Sequence, residues 1–385
     1  MLSKTIYCGQ RSLRAQGLSR IFTLLPRYRY ATLPRMLRKR AVDATADSPA
    51  LPVSLKSLAD HLKLSPASVS LVMNRSPAAA SIPRKTQERV FAAARRFNYR
   101  PNFTARSLRR QRSFTLGVVV PEISEGYAAL VMSGIEDYLL REGYLSMVVS
   151  HRHQPHLLEE YPRILLERSI EGLIAVDTPL VHELPVPVVA VSGHRSISGV
   201  TNLALNHRRA ASLAMEHLHA LGHRRIVFIK GQEFSSDTRV RWNAIREAAR
   251  QLDLRVEPEL VVQLEGDVPS SELGYQVTQK LLASGAKFTA LFAFNDISAI
   301  GAIRALREAG HCVPEDVSVV GFDDIQSAAF QNPALTTVRQ PLRKMGEIAA
   351  TTLLQRIANP NDRSYPKEIT VEPEMIVRAS TCRAR

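Results

Sequence analysis

The sequence predicts an N-terminal all-α helix-turn-helix domain followed by a large α/β body. Helical periodicity with two closely spaced N-cap signals occupies residues 54–97, whereas short β-branched apolar runs alternate with amphipathic helices from Thr115 onward. Residues 1–115 carry 23 Lys and Arg against 4 Asp and Glu, and residues 116–385 carry 28 against 32. The basic part favours a polyanionic partner, because Lys and Arg that neutralise phosphates release condensed counterions. A solvated basic face is the alternative.

The first segment of the chain shows charge without hydrophobic periodicity. Residues 1–42 contain ten Lys and Arg and no acidic residue. We expect residues 1–52 to form a basic, disordered arm. An organellar transit peptide, or sequence added by an upstream start codon, is the alternative.

Cysteine usage and hydropathy exclude several classes of protein. Cys8, Cys312 and Cys382 lie far apart without CxxC or Cys/His spacing, so neither a disulfide framework nor a zinc site is indicated. A reducing cytosol suits this usage, and the expected localisation is cytoplasmic and nucleoid-associated. No run approaches the ~18 consecutive apolar residues that a membrane-spanning helix needs.

Two short helices begin the predicted helix-turn-helix domain. Ser54 is the expected N-cap of the first helix, and a turn at Lys63 and Leu64 leads to Ser65, a second N-cap. Helices joined by so brief a turn pack nearly at right angles and leave the second helix facing outward, where its first side chains can reach base edges in the major groove. The residues expected to be exposed on this second helix are Pro66, Ala67, Ser68, Ser70 and Leu71.

A third helix is predicted from about Pro83 to Phe97. Arg84 and Lys85 in its first turn oppose the helix dipole, which makes sense if a phosphate approaches that end. Residues 103–110 could form one more helix, too short to be stable alone in water. The predicted domains are therefore a helix-turn-helix domain at 53–101, a hinge or linker at 102–114, and a body at 115–385.

The body contains seven apolar runs that predict strands, with helical patterns such as residues 205–221 and 237–252 between them. Apolar strands separated by helices are typical of parallel sheets covered on both faces, and ligands bind such sheets at the carboxyl ends of the strands. An Arg fork beside a carboxylate suits vicinal hydroxyls or paired donors and acceptors; a structural salt bridge is the alternative. The candidates that follow strands are Glu125, Tyr127, Ser192, Arg241, Asn295 and Asp296.

Several motifs together resemble the LacI/GalR family of bacterial transcription regulators, the lactose- and purine-repressor type. The resemblance runs from about Val53 to Thr381. It implies a periplasmic-binding-protein-like body of two parallel-sheet subdomains, joined by three crossovers with the final segment returning to the first, and an effector in the cleft between them. The motifs are SLADHLKLSPASVSLVMN, ERVFAAARRFNYRPNFTARSLRR leading into TLGVVVPEIS, EHLHALGHRRIVFI, FNDISAIGAIRALREAG, VSVVGFDD, and ALTTVRQP with its closing IVRAST.

The resemblance also implies roles for individual residues. Residues 103–110 become a hinge helix that folds on operator DNA, and Leu108 becomes a wedge in the minor groove; packing of Leu108 on the body is the alternative. Arg241 and Asp296 match the family's recurrent ligand-binding Arg and Asp. The DNA contacts that it implies are Ser54, Ser65, Pro66, Ala67, Ser68, Ser70, Leu71, Asn74, Thr86, Tyr99, Asn102, Arg106 and Leu108.

The chain departs from the family pattern at several positions. Lys63 stands where Gly is usual in the turn, so either a left-handed conformation there costs roughly 1–2 kcal/mol or the turn geometry differs. Leu71 replaces a common base-reading Arg, and the loop 74–82 is about three residues longer than usual. In the pocket, Val268 occupies the place of a common stacking aromatic residue and Glu125 that of a common Asn. These changes predict an effector site that is more aliphatic and acidic than a typical sugar site. A sugar is still the leading expectation for the effector.

The expected function is a homodimeric, sequence-specific DNA-binding regulator, a repressor, which binds a near-palindromic double-stranded operator and answers to a small-molecule effector. A solute-binding protein of a transport system is the alternative, but it needs a secretory signal and has no use for residues 54–110. No HExxH motif, catalytic triad or phosphate loop indicates an enzyme. His151, His153 and His156 could bind a metal, although a solvent-facing loop is favoured. No catalytic residue, metal or cofactor is expected.

Overall fold

The structure is a computed structural model that describes residues 53–99, 107, 112–123, 126–193, 197–266, 270–362 and 364–385. The chain divides into two units at Arg100 and Pro101. The first unit contains α1 (Leu55–Leu62), α2 (Pro66–Met73), a short 3₁₀ helix (Pro77–Ser81) and α3 (Arg84–Arg96).

The first unit confirms the predicted helix starts. The Ser54 hydroxyl accepts a hydrogen bond from the Ser57 amide, and the Ser65 hydroxyl accepts one from the Ser68 amide, each at 3.0 Å. Both contacts satisfy an amide that a helix start otherwise leaves without a partner. The apolar faces of the three helices meet in one small core, whose fully buried members are Leu58, Ala59, Val69, Val72 and Val90.

The turn between α1 and α2 contains a left-handed residue, Lys63. Lys63 adopts φ 53° and ψ 44° at the C-cap of α1, and its amide bonds the carbonyls of Ala59 and Asp60. The left-handed conformation of Lys63 is sterically unfavourable, whereas a glycine would adopt it without strain. The turn nevertheless has the short length that was predicted. The lengthened loop after α2 contains the 3₁₀ helix, whose Ala79 reaches the core.

The second unit consists of two six-stranded sheets with helices on their faces. The first sheet has the order β11-β5-β4-β3-β1-β2, and its strands are β1 (Thr115–Val120), β2 (Leu145–Ser150), β3 (Gly172–Val176), β4 (Val188–Val191), β5 (Val200–Leu205) and β11 (Glu368–Val371). The second has the order β12-β10-β9-β8-β6-β7, with β6 (Ile226–Lys230), β7 (Val261–Gln263), β8 (Ala290–Phe292), β9 (Ser318–Asp323), β10 (Thr336–Arg339) and β12 (Glu374–Ile376).

Every paired strand runs parallel except β12, which is antiparallel to β10. The helices are α4 (Tyr127–Glu142), α5 (Pro155–Glu167), α6 (His207–Ala220), α7 (Ser236–Gln251), α8 (Ser271–Ala283), α9 (Asp296–Glu308), α10 (Gln326–Phe330) and α11 (Leu342–Ala358). The fold class is the predicted one, and all seven predicted strands are present. In the described part of the chain, no helix has the length and apolar character that a membrane span requires.

Three crossings join the sheets, as the resemblance implied. The chain passes to the second sheet through α6, returns through α11 to β11, and crosses again to β12. The prediction for the final segment is corrected in one respect. Only α11 and β11 return to the first sheet, whereas the last residues stay with the second, where the Val319 amide bonds the Ser380 carbonyl at 2.8 Å.

Two pairs of helices cross at glycines, which lets their backbones touch. A Cβ atom on Gly301 of α9 would overlap the Ser271 carbonyl oxygen of α8, and one on Gly346 of α11 would overlap the Val131 carbonyl oxygen of α4. These close crossings hold α8 on α9 and α4 on α11. Since α4 and α9 each begin at the carboxyl edge of a sheet, these crossings also fix where their first residues lie.

Candidate effector pocket and DNA-reading surface

A pocket of about 750 Å³, counting the open space at its mouth, lies between the carboxyl ends of the two sheets. The first sheet supplies residues that follow β1, β2 and β3 and the start of α4. The second supplies residues that follow β6 and β8, the end of β9, and the first turns of α7 and α9. The lining residues are Pro121, Glu122, Tyr127, Ala128, His153, Asp177, Gln232, Phe234, Ser235, Asp237, Arg241, Phe294, Asn295, Ile297 and Asp323.

Arg241 is the central cation of this pocket. The residue is 3% exposed, and one terminal nitrogen donates to Asp237 Oδ2 at 3.0 Å while the other donates to the Phe294 carbonyl. The guanidinium carbon lies 3.7 Å from the centre of the Phe322 ring and 4.4 Å from that of Phe294. Such stacking holds the planar group in one orientation. Its Nε is buried and has no hydrogen-bond partner among the described residues.

The carboxylate that pairs with Arg241 belongs to Asp237, one turn earlier on α7. Asp237 Oδ1 lies 3.2 Å from Nε2 of His207, the first residue of the crossover helix α6. The Asp237 and Arg241 side chains are 7% and 4% exposed, and that of His207 is 3% exposed. A chain of buried polar contacts therefore connects the pocket with the segment that joins the two subdomains.

Asp296 does not line the pocket, which corrects the prediction from sequence. Its carboxylate is fully buried and accepts hydrogen bonds from the Thr337 hydroxyl at 2.6 Å and the Ile325 amide at 2.9 Å. Burial raises the pKa of Asp296 well above its ordinary value, and the negative charge of Asp323 adds to the rise. Both oxygens are thus used to tie β10 and the segment after β9 to the start of α9, a structural role.

Asp323, the last residue of β9, is the carboxylate that the second sheet presents to the pocket. It is 7% exposed and accepts a hydrogen bond from Gln340 Nε2 at 2.6 Å. Burial raises the pKa of Asp323 to about 7, an effect that the charge of Arg241 opposes. Its φ of 110° is strained for a residue with a side chain, and such strain is concentrated at functional sites.

Tyr127 and Ser192 form a pair in which only Tyr127 lines the pocket. The Tyr127 hydroxyl lies 2.8 Å from Ser192 Oγ, and Ser192 is fully buried with φ 57°. Burial raises the pKa of Tyr127 well above its ordinary value, and nearby Asp237 adds to the rise. Ser192 therefore orients Tyr127 and does not face the pocket. Asn295 lines the pocket while its side-chain oxygen accepts the Ser298 amide at 2.9 Å, which caps α9.

The remaining predicted pocket residues, Glu125 and Val268, lie outside the described part of the chain. The three histidines of the cluster differ in exposure: His156 is exposed, as a solvent-facing loop requires, His153 is partly exposed, and His151 is buried. His151 is 2% exposed, its Nε2 lies 3.2 Å from Thr178 Oγ1, and burial lowers its pKa to about 4. Among the described residues, no group of three or more His, Cys, Asp or Glu is arranged to hold a metal ion.

The predicted DNA-contacting residues of the first unit that the structure describes are all exposed or partly exposed. Pro66 and Ala67 are exposed at the start of α2, and Ser68, Ser70 and Leu71 are partly exposed. Ser54 and Ser65 cap helices, and the Asn74 side chain donates to the Ser70 carbonyl at 2.8 Å, which ends α2. Thr86 and Tyr99 are partly exposed. The last three candidates, Asn102, Arg106 and Leu108, fall outside the described residues.

Comparison with known proteins identifies the family. The profile of a periplasmic binding protein-like domain matches residues 215–381. The HTH-type transcriptional repressor PurR of Aliivibrio fischeri strain MJ11 is 31% identical over 337 residues, which cover 85% of this chain and 98% of that protein. The chain belongs to the LacI/GalR family of transcriptional regulators. This family carries its DNA reader and its effector body in one chain, so the regulator is favoured over the transport receptor.

Solved structures of the LacI/GalR family show the same architecture. The Lac repressor dimer bound to operator and the anti-inducer ONPF has a TM-score of 0.78 and 27% identity, covering 86% of this chain and all of that one. A LacI family regulator from Enterococcus faecium with bound ribose has a TM-score of 0.62 and 28% identity, covering 70% of this chain and all of that one. The chain is thus an effector-controlled DNA-binding transcriptional regulator of this type.

Sequence reasoning missed nine of the residues that line the pocket with polar or aromatic groups. Asp323 stood in the VSVVGFDD motif at the end of a predicted strand, so the strand-end rule could have found it. Most of the others also follow predicted strands within a few residues, but that rule does not say which residue of a loop faces the pocket. Asp237 lies inside a helix, where the rule gives no signal. The missed residues are Glu122, His153, Asp177, Gln232, Phe234, Ser235, Asp237, Phe294 and Asp323.

Proposed function

We propose that this LacI/GalR-family chain is a repressor that binds a near-palindromic operator as a homodimer, through α2 of each protomer. The proposal assigns residues 1–52 as a basic arm, 53–101 as the reader, 102–114 as a hinge and 115–385 as the effector and dimerisation body. Twofold protein symmetry calls for matching symmetry in the DNA. The capped, outward α2 with exposed Pro66 and Ala67 is the observation that supports it most directly. We place its action at the DNA of the cytoplasm and assign it no catalytic step.

The base-reading surface proposed for α2 is small and largely uncharged. Leu71, which is partly exposed, presents an apolar group where a polar side chain would select guanine, and apolar contact with a thymine methyl suits it. Lys and Arg elsewhere in residues 1–115 supply sequence-independent affinity. The hinge proposed around Leu108 adds a wedge at the operator centre, where unstacking of one base step bends the DNA.

The effector proposed for the pocket is a neutral, polyhydroxylated molecule such as a sugar. Arg241 supplies a guanidinium to the pocket, whereas Asp177, Asp237 and Asp323 supply carboxylate oxygens that can accept from hydroxyl groups. Asp177, Asp237 and the partly ionised Asp323 around one arginine leave the pocket with net negative charge at pH 7, which disfavours a phosphorylated ligand because like charges would meet in a buried site. The ribose bound to the Enterococcus faecium relative supports the same class.

Effector control requires that the ligand bind the two states of the body with different affinity. The polar chain from Arg241 through Asp237 to His207 reaches the helix that joins the subdomains, so a ligand that engages Arg241 acts on the crossover. A shift of the subdomains near the dimer axis would then change the separation of the two hinges and the stability of the hinge helices.

Operator binding is tested by fluorescence anisotropy of the whole chain with fragments of its own upstream intergenic DNA and a random competitor. We expect a specific complex, and Leu108→Ala should weaken it far more than it weakens random-DNA binding. Equal losses on both DNAs would remove the wedge role from Leu108. Absence of any preference among promoter fragments, with and without metabolites, would overturn the repressor assignment.

Effector class is tested by thermal shift against paired sugars and sugar phosphates. A ligand that binds the native state raises the melting temperature, and we expect rises with neutral sugars and not with their phosphates. Asp323→Asn should reduce the rise. A larger rise with the phosphate of a pair would contradict the charge argument.

A further inference from the structure

The outer end of the pocket is crossed by two aromatic side chains that come from opposite subdomains. The His153 ring, which follows β2 of the first sheet, lies with its centre 3.7 Å from that of Phe234, and the two planes are inclined by 31°. Phe234 follows β6 of the second sheet, and both residues line the pocket. The pair therefore bridges the cleft itself.

Exposure of the lining residues locates this pair at the mouth. Arg241, Asp237 and Asp323 are 3%, 5% and 7% exposed, whereas Phe234 is 42% exposed and His153 is partly exposed. These three polar groups thus lie at the closed end of the pocket, and the aromatic pair lies nearer to solvent. A ligand that reaches Arg241 from this side must pass the two rings.

Each ring is held by its own subdomain. The His153 amide donates to Nδ1 of the buried His151 at 3.1 Å, and His151 Nε2 lies 3.2 Å from Thr178 Oγ1. Phe234 lies in a turn closed by a hydrogen bond from the Ser235 amide to the Gln232 carbonyl at 3.2 Å. Because each anchor is local, the two rings can separate without breaking either one.

A second set of contacts brings the Phe234 loop onto the first subdomain. The Ser236 hydroxyl donates to Asp177 Oδ1 at 2.7 Å, and the Ser236 amide reaches the same oxygen at 3.3 Å. The Ser236 hydroxyl also contacts the Ser192 carbonyl. Asp177 thereby accepts from the first turn of α7 across the cleft, where the helix dipole favours a carboxylate. These contacts keep the loop closed over the pocket.

We propose that Phe234 and His153 form a gate over the effector pocket, and that a small molecule enters or leaves only when this cross-cleft ring pair separates. The proposal rests on the proposed function in taking the pocket as the effector site. The gate would set the exchange rate of the effector, while Arg241 and the aspartates set what is held. The loop between β6 and α7 carries Phe234, and the contacts of Ser236 with Asp177 hold it against the first subdomain. We therefore expect this loop to be the part that moves.

The gate can be tested without knowing the effector. Ala128 lines the same pocket, and Ala128→Cys places a thiol there in the whole chain. The probe is iodoacetamide, a neutral reagent that the pocket's carboxylates do not repel, and peptide mass spectrometry reads each thiol separately. Cys312 is exposed and serves as an internal reference for reagent activity.

Phe234→Ala in the Ala128→Cys chain should speed labelling of the introduced thiol about two- to tenfold, the range expected for loss of one aromatic pair. Cys312 should label at an unchanged rate. Phe234→Tyr should restore slow labelling, because the ring remains. Phe330→Ala is the matched control, since Phe330 is an aromatic residue of the second subdomain, 79% exposed and absent from the pocket lining.

His153→Ala tests the gate from the other subdomain and should give a similar acceleration. The double variant should label no faster than the faster single variant, because one contact is lost in each case. An unchanged rate in both single variants, or effects that multiply in the double variant, would overturn the gate. The labelling needs neither DNA nor effector, so its failure is distinct from a failure of operator binding.

Discussion

Replacement of Arg241 by an apolar residue is expected to destabilise the body before it affects any ligand. In Arg241→Met the guanidinium that faces Asp237 at 3.0 Å is lost, while the Asp237 side chain, 7% exposed, stays in place. His207, at 3.2 Å, is a neighbour of that carboxylate that the substitution leaves in place. A buried carboxylate that loses its cation suffers the full cost of desolvation without the compensating attraction.

The magnitude follows from the burial of the pair. Removal of one partner of a buried ion pair costs about 3–5 kcal/mol. At roughly 2–4 °C of melting temperature per kcal/mol for a body of this size, the loss corresponds to about 6–20 °C. The stacking of Arg241 on Phe322 and Phe294 adds to the loss, so the upper half of the range is expected.

Differential scanning calorimetry of the whole chain at pH 7 provides the measurement. Asp237→Asn should also destabilise the body, because it leaves the Arg241 charge buried. The double variant Arg241→Met with Asp237→Asn should lose much less than the sum of the two, since no uncompensated charge remains. Additive losses, or a melting temperature within about 2 °C of the parent for Arg241→Met, would refute the reasoning.

Three further predictions concern other parts of the chain. Burial raises the pKa of Asp323 to about 7, so between about pH 4 and pH 7 the folded body holds a proton that the unfolded chain releases. The stability of the body therefore falls as pH rises through this window. Asp323→Asn should flatten the curve of melting temperature against pH there. Lys63→Gly should stabilise the first unit by about 1 kcal/mol, measured as slower amide exchange in α1 and α2, and faster exchange would contradict the left-handed turn. Gly301→Ala should lower the melting temperature by more than about 5 °C, because the added methyl group meets the Ser271 carbonyl. Gly310→Ala is the control: its methyl group lies in open space, so it should lower the melting temperature only through the backbone strain of φ 87°.

Local elements were readable from the sequence because their causes are local. Ser54, Ser65 and Pro66 start helices through contacts within one turn, and the structure has α1 and α2 where these residues predicted them. Six of the seven predicted strands were readable because both faces of a parallel sheet are buried, which demands continuous apolar runs; the seventh, β2, is an apolar edge strand that is only partly buried. The strands that were missed, β5, β7, β10, β11 and β12, include three- and four-residue strands at sheet edges, where no such run is needed.

The candidate pocket was readable only in part. Arg241, Tyr127 and Asn295 were found from their positions after strands or at helix starts, and each lines the pocket. Asp296 has the same position in sequence, yet hydrogen bonds from Thr337 and Ile325, more than 25 residues away along the chain, turn its carboxylate into the protein. A sequence position fixes which edge of the sheet a residue occupies and leaves open which way its side chain faces.

The amino-acid order by itself determined the two-part layout, the capped reading helices and the family, since these depend on charge distribution, on contacts within a turn and on motifs in a fixed order. Only the tertiary structure decided that Asp323 and not Asp296 faces the pocket, that Asp237 neutralises Arg241, and that His153 meets Phe234 across the cleft. The physical reason is that burial, pKa and cross-cleft contact arise between residues that the chain brings together from two sheets, and no local pattern encodes such a meeting.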